Sequence, residues 1–174
     1  MKKILIVILC ILLAISLIGC GNTDEYNQKL YEYYTNNLVL SDSISQSLKA
    51  FTNSCYELDV ADVALSDLEA DKILESSAKV KETISTLFAS LKDPPSQCKD
   101  AYAIAERIYE AHLGIQITQE NAYKEAPAGQ AMTYVNIATD YFTDYVDALG
   151  ELQAYFTEIG FEPTSKAEAS PATK

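Results

Sequence analysis

The sequence predicts an all-α protein, an antiparallel up-down four-helix bundle of long helices that follows a separate N-terminal apolar segment. Apolar residues recur every three or four positions over four long stretches, which is the period of an α-helix face. Only 6 of the 174 residues are glycine, and the apolar/polar alternation that marks a strand never extends beyond a few residues. Short turns between the stretches make each helix the antiparallel neighbour of the next.

The predicted bundle spans residues 24–160, with helices expected over residues 24–59, 61–92, 96–124 and 130–159. Each helix would be about 30 residues long, or roughly 45 Å at 1.5 Å per residue. A long helical hairpin or coiled coil is the rival fold. It is disfavoured because the apolar stripes do not keep a strict heptad and because the boundary after the second helix forces a reversal.

That boundary is Asp93-Pro94-Pro95, since proline cannot continue the hydrogen-bond ladder and displaces the residue before it from helical dihedrals. Residues 125–129 form the next turn, and Gly160 is a natural stop for the last helix. Serine-rich residues 41–47 can bend or interrupt the first helix. Residues 161–174 carry no apolar stripe, so we expect a disordered tail.

The length and the net charge of the chain limit the classes of protein to which it can belong. Without the segment 1–19 the chain is still long enough for one domain with its own core. The formal net charge is −12, and an acidic field of this size repels nucleic acid and other polyanions. We therefore expect no nucleic-acid partner, and a solvated acidic surface explains the charge without identifying any other.

The segment 1–19 follows the three-part plan of a secretory signal peptide. Two lysines form a positive start, residues 4–18 are apolar apart from one serine, and small Gly19 precedes Cys20. The apolar run up to Gly19 is shorter than the roughly 20 residues that a helix needs to span a bilayer. A cleaved signal therefore explains this segment better than a membrane-spanning anchor.

The residues around the expected cut, Leu17-Ile18-Gly19-Cys20, resemble the lipobox of bacterial lipoproteins. The resemblance ends at Cys20 and does not extend into the rest of the chain. It implies that a diacylglycerol thioether forms on Cys20, that signal peptide 1–19 is removed, and that residues 20–23 are a short tether. Two acyl chains of the palmitate type anchor a protein stably. The implied location is the cell membrane, lipid-anchored on the extracytoplasmic side, with a Gram-positive surface favoured and outer-membrane sorting left open.

If Cys20 is lipidated, Cys55 and Cys98 remain as an even pair in an oxidising compartment, where a disulfide is normally expected. In an up-down bundle, however, these two residues would lie about 45 Å apart, at opposite ends of parallel helices. A disulfide requires Cα atoms within about 7 Å. We therefore favour two buried free thiols, and a disulfide remains open only if the first helix breaks and folds back.

His112 is the only histidine, and it falls on the apolar stripe of the third helix. Metal sites in bundles use paired Glu-x-x-His motifs, whereas Glu110-Ala111-His112 has the wrong spacing and no second histidine exists. A buried core histidine is therefore the better explanation. We predict no metal site and no cofactor.

Twelve tyrosines and several acidic pairs are the remaining candidates for a site. Tyrosines at the rim of a core are commoner than a tyrosine-rich binding face, although the side chain suits both. Acidic residues recur three or four positions apart, as in Asp59/Asp62, Asp67/Asp71 and Asp140/Asp144. No calcium-loop motif accompanies them, so solvated surface charge explains them better.

The sequence contains no phosphate loop, nucleophile elbow or zinc-protease motif, so we expect no enzymatic activity. The leading hypothesis is a membrane-anchored extracytoplasmic lipoprotein whose bundle mediates interactions with a protein or cell-wall partner. The helical body is similar to small helical lipoproteins of Gram-positive bacteria, and no motif in it singles out a family. The alternative is a small-ligand or metal-binding helical lipoprotein that serves a transporter or sensor. Polar groups converging on a pocket would favour this alternative.

Overall fold

The computed structural model describes the backbone of residues 2–61, 70–125 and 129–164, and the side chains of residues 23–60, 74–75, 77–124 and 129–164. Over these residues the chain is all-helical, with four α-helices and no strand, which confirms the predicted fold class. The predicted signal peptide and lipobox side chains lie outside the described residues, as does the tail beyond residue 164.

The first helix, α1, spans Lys2–Ala61 and continues through the serine-rich stretch 41–47. The interruption predicted there is wrong because serine hydroxyls can bond within the helix without unwinding it. Ser41 Oγ, for example, donates to the carbonyl of Leu38 over 2.7 Å. Among the residues whose side chains are described, no helix is long and apolar enough to cross a membrane.

The second helix, α2, spans Ala70–Ala89 and ends three residues before the predicted end at residue 92. Residues 62–69, which include most of the predicted first part of this helix, lie outside the described part of the chain. The predicted proline boundary is confirmed. Asp93, just before Pro94, has a positive φ of 61°, a conformation that aspartate tolerates better than most residues. A 3₁₀ turn, Ser96–Cys98, then leads directly into α3, which spans Lys99–Glu125.

The last helix, α4, spans Ala131–Glu158 and ends in a Schellman motif at Gly160, which confirms the predicted stop. Gly160 has a φ of 61° and donates its N–H to the carbonyl of Thr157 over 3.2 Å. The N–H of Phe161 donates to the carbonyl of Phe156 over 3.0 Å. The rings of these two phenylalanines lie 5.5 Å apart, which is the apolar contact that accompanies this motif.

The stretch 161–164 that follows this motif packs against α1 instead of starting a disordered tail. Phe161 is half-buried, with its ring centroid 5.7 Å from that of Tyr31. The backbone N–H of Thr164 donates to Gln28 Oε1 over 3.1 Å. A single aromatic side chain is enough to hold this turn, and one residue produces no periodic pattern in the sequence.

Among the residues whose side chains are described, the buried residues form two core clusters. Helix α4 packs along α3 and α1, and α2 packs against α3 and α1. The larger cluster draws on all four helices, with members such as Leu30, Ile84, Ile108 and Leu152. The smaller cluster joins α1 to the end of α3 and the start of α4, with members such as Phe51, Cys55, Ala122 and Val135.

Candidate functional site

The predicted anchoring residues, Gly19 and Cys20, have side chains outside the described part of the chain, so the lipobox interpretation stays a prediction. The other two predicted site residues are described. Cys55 and Cys98 are free and completely buried, and they belong to different core clusters. Burial, with a smaller contribution from Asp59, raises the pKa of the Cys55 thiol to about 12, and burial also raises the pKa of Cys98. Protonated thiols of this kind are poor nucleophiles and pack as small apolar groups.

His112 is a core residue, as its place on the apolar stripe predicted. It is only 2% exposed, and neither ring nitrogen has a hydrogen-bond partner. Burial, followed by the charge of Lys81, lowers the pKa of His112 to about 4. The imidazole is therefore neutral near pH 7, with one N–H donor and one lone pair left unpaired in the core.

His112 is part of a polar face of α3, which we define as His112, Gln116, Gln119 and Tyr123, spaced four, three and four residues apart. The side-chain oxygens of Gln116 and Gln119 are buried without a partner. The Tyr123 hydroxyl is also buried, and burial raises its pKa to about 12 against the smaller, opposite effect of Ser54. The core of the protein is therefore not uniformly apolar.

The cavity beside this polar face is small. Serine side chains from α1 and α2 line it, together with His112 and Gln119. Its volume is about 10 Å³, which is room for roughly one water molecule. Polar groups do converge inside the helices, but the space between them does not admit a ligand larger than water.

Buried tyrosines bind the helices together through their hydroxyl groups. Three of them donate to main-chain carbonyls of another helix or turn: Tyr26 to Leu91 over 2.9 Å, Tyr33 to Ala105 over 3.1 Å, and Tyr145 to Asn37 over 2.8 Å. Burial is the main cause of a raised pKa in each. These hydroxyls lie deeper than the predicted rim of the core, and their role is structural.

One acidic residue of the predicted pairs has a defined structural role. The carboxylate of Asp59, at the end of α1, accepts hydrogen bonds from the backbone N–H groups of Gly129, Ala131 and Met132 over 2.8, 3.1 and 3.0 Å. Desolvation raises the pKa of Asp59, but the three N–H groups outweigh it and lower the pKa overall. Asp59 therefore caps the start of α4, where Gln130 provides no side-chain cap. Asp62 and Asp67 lie outside the described residues.

A cleft of about 750 Å³, which we call the end cleft, opens at one end of the helices. It lies where residues 23–28 of α1, Gln97 of the 3₁₀ turn, and residues from the end of α4 through Thr164 meet. Its volume falls within the roughly 300–1,000 Å³ of small-molecule sites.

A buried hydrogen-bonded group lies at the inner side of the end cleft. Asn27 is 4% exposed, and its Oδ1 accepts from the Tyr155 hydroxyl over 3.0 Å and from Cys98 Sγ over 3.5 Å. Burial, with the neighbouring Cys98, raises the pKa of Tyr155 to about 12 despite the opposing effect of Asn27. Asn27 and Tyr155 also line the cleft, so they connect its wall to the core.

Asn27 was not among the site residues predicted from the sequence, and the pattern that points to it is weak. Asn27 precedes Leu30 and Tyr34 by three and seven positions, so it lies on the apolar face of α1. A polar residue at such a position is normally hydrogen-bonded in the core. Its partners, Cys98 and Tyr155, are too distant in sequence to be paired with it by spacing alone.

Among the described residues, no three histidine, cysteine, aspartate or glutamate side chains come together in a way that could hold a metal ion. Comparison with known proteins finds no matching family model, no similar curated protein and no similar solved structure.

Proposed function

We propose that this protein is a non-enzymatic lipoprotein, anchored through lipid on Cys20 to the extracytoplasmic face of a membrane, whose helical body mediates protein or cell-envelope interactions. The observation that carries the proposal is the sequence Leu17-Ile18-Gly19-Cys20 directly after a short apolar run. The lipid anchor gives the location of the helical body, and the arrangement and surface of its helices support the proposed interaction.

We further propose that the helices form an antiparallel up-down bundle, and the order of the contacts between them supports this. Two pairs join α1 to α3 at the same separation of 72 residues, as parallel helices require: Tyr33 with Ala105, and Ser47 with Gln119. Three pairs join α1 to α4 in reversed order, as antiparallel helices require: Asn27 with Tyr155, Asn37 with Tyr145, and Asp59 with Ala131.

An exposed apolar area on α3 and α4 supports an interaction role. Ile117, Ile137 and Tyr141 are 51%, 41% and 38% exposed, and we call these three residues the apolar face. Tyr141 packs over Gly114, three positions before Ile117, so this face spans both helices. Exposed apolar side chains that include tyrosine are typical of protein-binding surfaces.

The chemistry of the described residues favours a non-enzymatic role. The two free thiols are buried with raised pKa values, and the only histidine is buried in the core. A nucleophile and its general base need to reach a substrate together. Neither the two thiols nor His112 lines the end cleft, whose described lining consists of amides, carboxylates, hydroxyls and apolar groups.

The anchoring is tested with Cys20→Ala, with Cys10→Ala as the matched control because Cys10 lies in the apolar run outside the lipobox. We expect the native chain and Cys10→Ala to incorporate a palmitate label and to begin at Cys20. We expect Cys20→Ala to incorporate none and to keep the segment 1–19. Equal labelling of the Cys20→Ala protein, with an unchanged N-terminus, would contradict the proposal.

The interaction is tested by a photo-crosslinking residue at Ile137 in native membranes, with the same residue at Asp147 as the control. Both positions are exposed on α4, but only Ile137 belongs to the apolar face. We expect one discrete crosslinked partner from position 137 and none from position 147. The same products from both positions would indicate random collision and would contradict an interaction role for this face.

Small-ligand binding is the second candidate function, and the end cleft is the observation that favours it. Its volume of about 750 Å³ suits a small molecule, whereas the cavity beside the polar face has room for about one water. A thermal-shift screen tests this function, because a ligand that binds only the folded protein raises its stability. No shift with any member of a screen of amines, sugars and peptides would count against it.

A further inference from the structure

The end cleft carries an inference about the chemical class of its ligand, and this inference rests on the small-ligand function above. Two hydrogen bonds fix the orientation of the Asn27 amide. The Tyr155 hydroxyl and the Cys98 thiol both donate to Asn27 Oδ1, so the NH₂ group with its two donors must point away from them. Asn27 also lines the cleft. A side chain that is only 4% exposed therefore presents an amide donor to the opening.

Gln28 presents a second donor by the same argument. Its Oε1 accepts from both the N–H and the hydroxyl of Thr164, over 3.1 and 3.2 Å. The amide nitrogen of Gln28 is therefore directed to the opposite side, where it can donate. Donors at the wall of the cleft match a carbonyl or hydroxyl oxygen on a ligand.

The charges around the cleft select against anions. Among the described residues that line it, three carry carboxylates and none is lysine or arginine. Glu25 is paired with Lys29 over 2.8 Å, whereas Asp24 and Glu162 have no ion-pair partner among the described residues. The cleft also lies at the C-terminal end of α4, where the helix dipole favours positive charge.

The three carboxylates do not form a metal site, since no group of three ligands with suitable geometry occurs among the described residues. An ammonium group, by contrast, needs only one or two carboxylates and tolerates loose geometry. Apolar and aromatic surface lies beside the carboxylates, from Tyr155, Ile159 and Phe161, and Ile159 is 44% exposed.

We propose that the end cleft binds a small molecule that carries a primary ammonium group on an apolar body, with a carbonyl or hydroxyl oxygen for the amides of Asn27 and Gln28. Asp24 and Glu162 hold the ammonium group, and Ile159 and Phe161 cover the apolar body. The cleft begins at Thr23, close behind Cys20, so under the proposed anchoring this ligand is met at the membrane surface. The ammonium group is the feature that the site selects.

Three probes that share one body and differ in charge test the selection: phenethylamine, 2-phenylethanol and 3-phenylpropionate. The full-length, ¹⁵N-labelled protein in a mild non-ionic detergent is titrated with each, and the readouts are the side-chain amide signals of Asn27 and Gln28 and the backbone signal of Gly160. We expect saturable shifts with phenethylamine in the millimolar range, binding of the alcohol at least about tenfold weaker, and no saturation with the acid. Equal binding of the three probes would overturn the proposal.

The double variant Asp24→Asn/Glu162→Gln tests the role of the two carboxylates. Asp140→Asn/Asp144→Asn is the matched control, because it removes two exposed acidic charges that do not line the cleft. We expect the first pair to weaken phenethylamine binding at least about fivefold and the control pair to leave it within about twofold. An equal loss in both variants would mean that only the net charge attracts the amine, which overturns the site.

The outcomes also separate this inference from the functions it rests on. Saturable shifts confined to residues outside the end cleft would overturn the site but leave the small-ligand function standing. Loss of the lipid on Cys20 would contradict the anchoring but would not change these shifts, because the readouts belong to residues that line the cleft. The site is supported only when the cleft residues respond and the amine is preferred.

Discussion

Lowering the pH from about 6.5 towards 4.5 should destabilise this protein through His112. The folded state holds the pKa of His112 at about 4, while an exposed histidine in the unfolded chain titrates near 6.5. As the pH falls below 6.5, His112 binds a proton in the unfolded chain but remains unprotonated in the folded protein. The free energy of unfolding therefore falls across the window from about pH 6.5 to pH 4 and levels off below it.

The size of the effect follows from the gap between the two pKa values. Each unit of difference is worth about 1.4 kcal/mol, so the full gap corresponds to roughly 3 kcal/mol, of which roughly 2 kcal/mol is lost by pH 4.5. Domains of this size are stable by only about 5–15 kcal/mol, so the loss is measurable. Asp59 also loses its contribution as the pH falls, but in a lower window, since its folded pKa is lowered and its unfolded pKa is already near 4.

Urea unfolding followed by circular dichroism at pH 7.5, 6.5, 5.5 and 4.5 measures this loss. The comparison is between the native protein and His112→Gln, in a mild non-ionic detergent for both. Glutamate and aspartate side chains titrate in both proteins, so the difference between the two curves isolates His112. Between pH 7.5 and 4.5, we expect the free energy of unfolding of His112→Gln to fall by roughly 2 kcal/mol less than that of the native protein. Equal falls in the free energy of unfolding of the two proteins would contradict this prediction, as would an imidazole NMR signal that titrates near pH 6.5. Because His112 is the only histidine, that signal needs no assignment.

Three further predictions concern the packing. Asp59→Ala should lower the free energy of unfolding by about 1–2 kcal/mol, because it removes the cap of α4. The control Glu57→Ala, at an exposed position on the same turn of α1, should change it by less than about 0.5 kcal/mol. Equal effects of the two variants would contradict the cap. A Cβ on Gly114 would lie 2.5 Å from the Tyr141 ring. Gly114→Ala should therefore lower the free energy of unfolding by at least about 1 kcal/mol less in a Tyr141→Ala background than in the native protein. Additive effects in this double-mutant cycle would contradict the contact. Cys55 and Cys98 should react with a maleimide at least about 100-fold faster in urea than in the native state, and fast labelling without urea would contradict their burial.

Local features of the fold were predictable because their causes lie within a few residues of sequence. Pro94-Pro95 had to end a helix because proline cannot continue the hydrogen-bond ladder, and Gly160 favoured a stop because glycine readily adopts the positive φ found there. The place of His112 on the apolar stripe likewise predicted its burial. The helical period was long enough in all four stretches to identify the fold class.

Features that depend on distant partners were not predictable. Asp59 caps a helix whose first residue, Ala131, is far away in sequence, and its neighbours along the chain give no sign of that. The same holds for the Asn27, Cys98 and Tyr155 group, whose members come from three elements. Phe161 was assigned to the tail because one aromatic residue among polar ones has no period, although it docks on Tyr31 and Phe156.

The serine-rich part of α1 shows a different limit of sequence reasoning. Serine weakens an isolated helix because its hydroxyl competes for backbone groups. In this protein the part of α1 between Tyr26 and Leu58 is held by buried contacts, such as those of Tyr33 and Phe51, and this packing outweighs the local preference. The two serines at positions 43 and 47 instead line the small cavity beside the polar face of α3.

The intact mass of the protein, extracted from its native membrane under non-reducing conditions, tests the anchoring through Cys20. We expect a chain that begins at Cys20, carries the added mass of a diacylglyceryl group on that residue, and keeps Cys55 and Cys98 as free thiols. A loss of two hydrogens between Cys55 and Cys98 would contradict the proposed arrangement of the helices. A chain that still begins at Met1, or an unmodified Cys20 at the N-terminus, would contradict the anchoring.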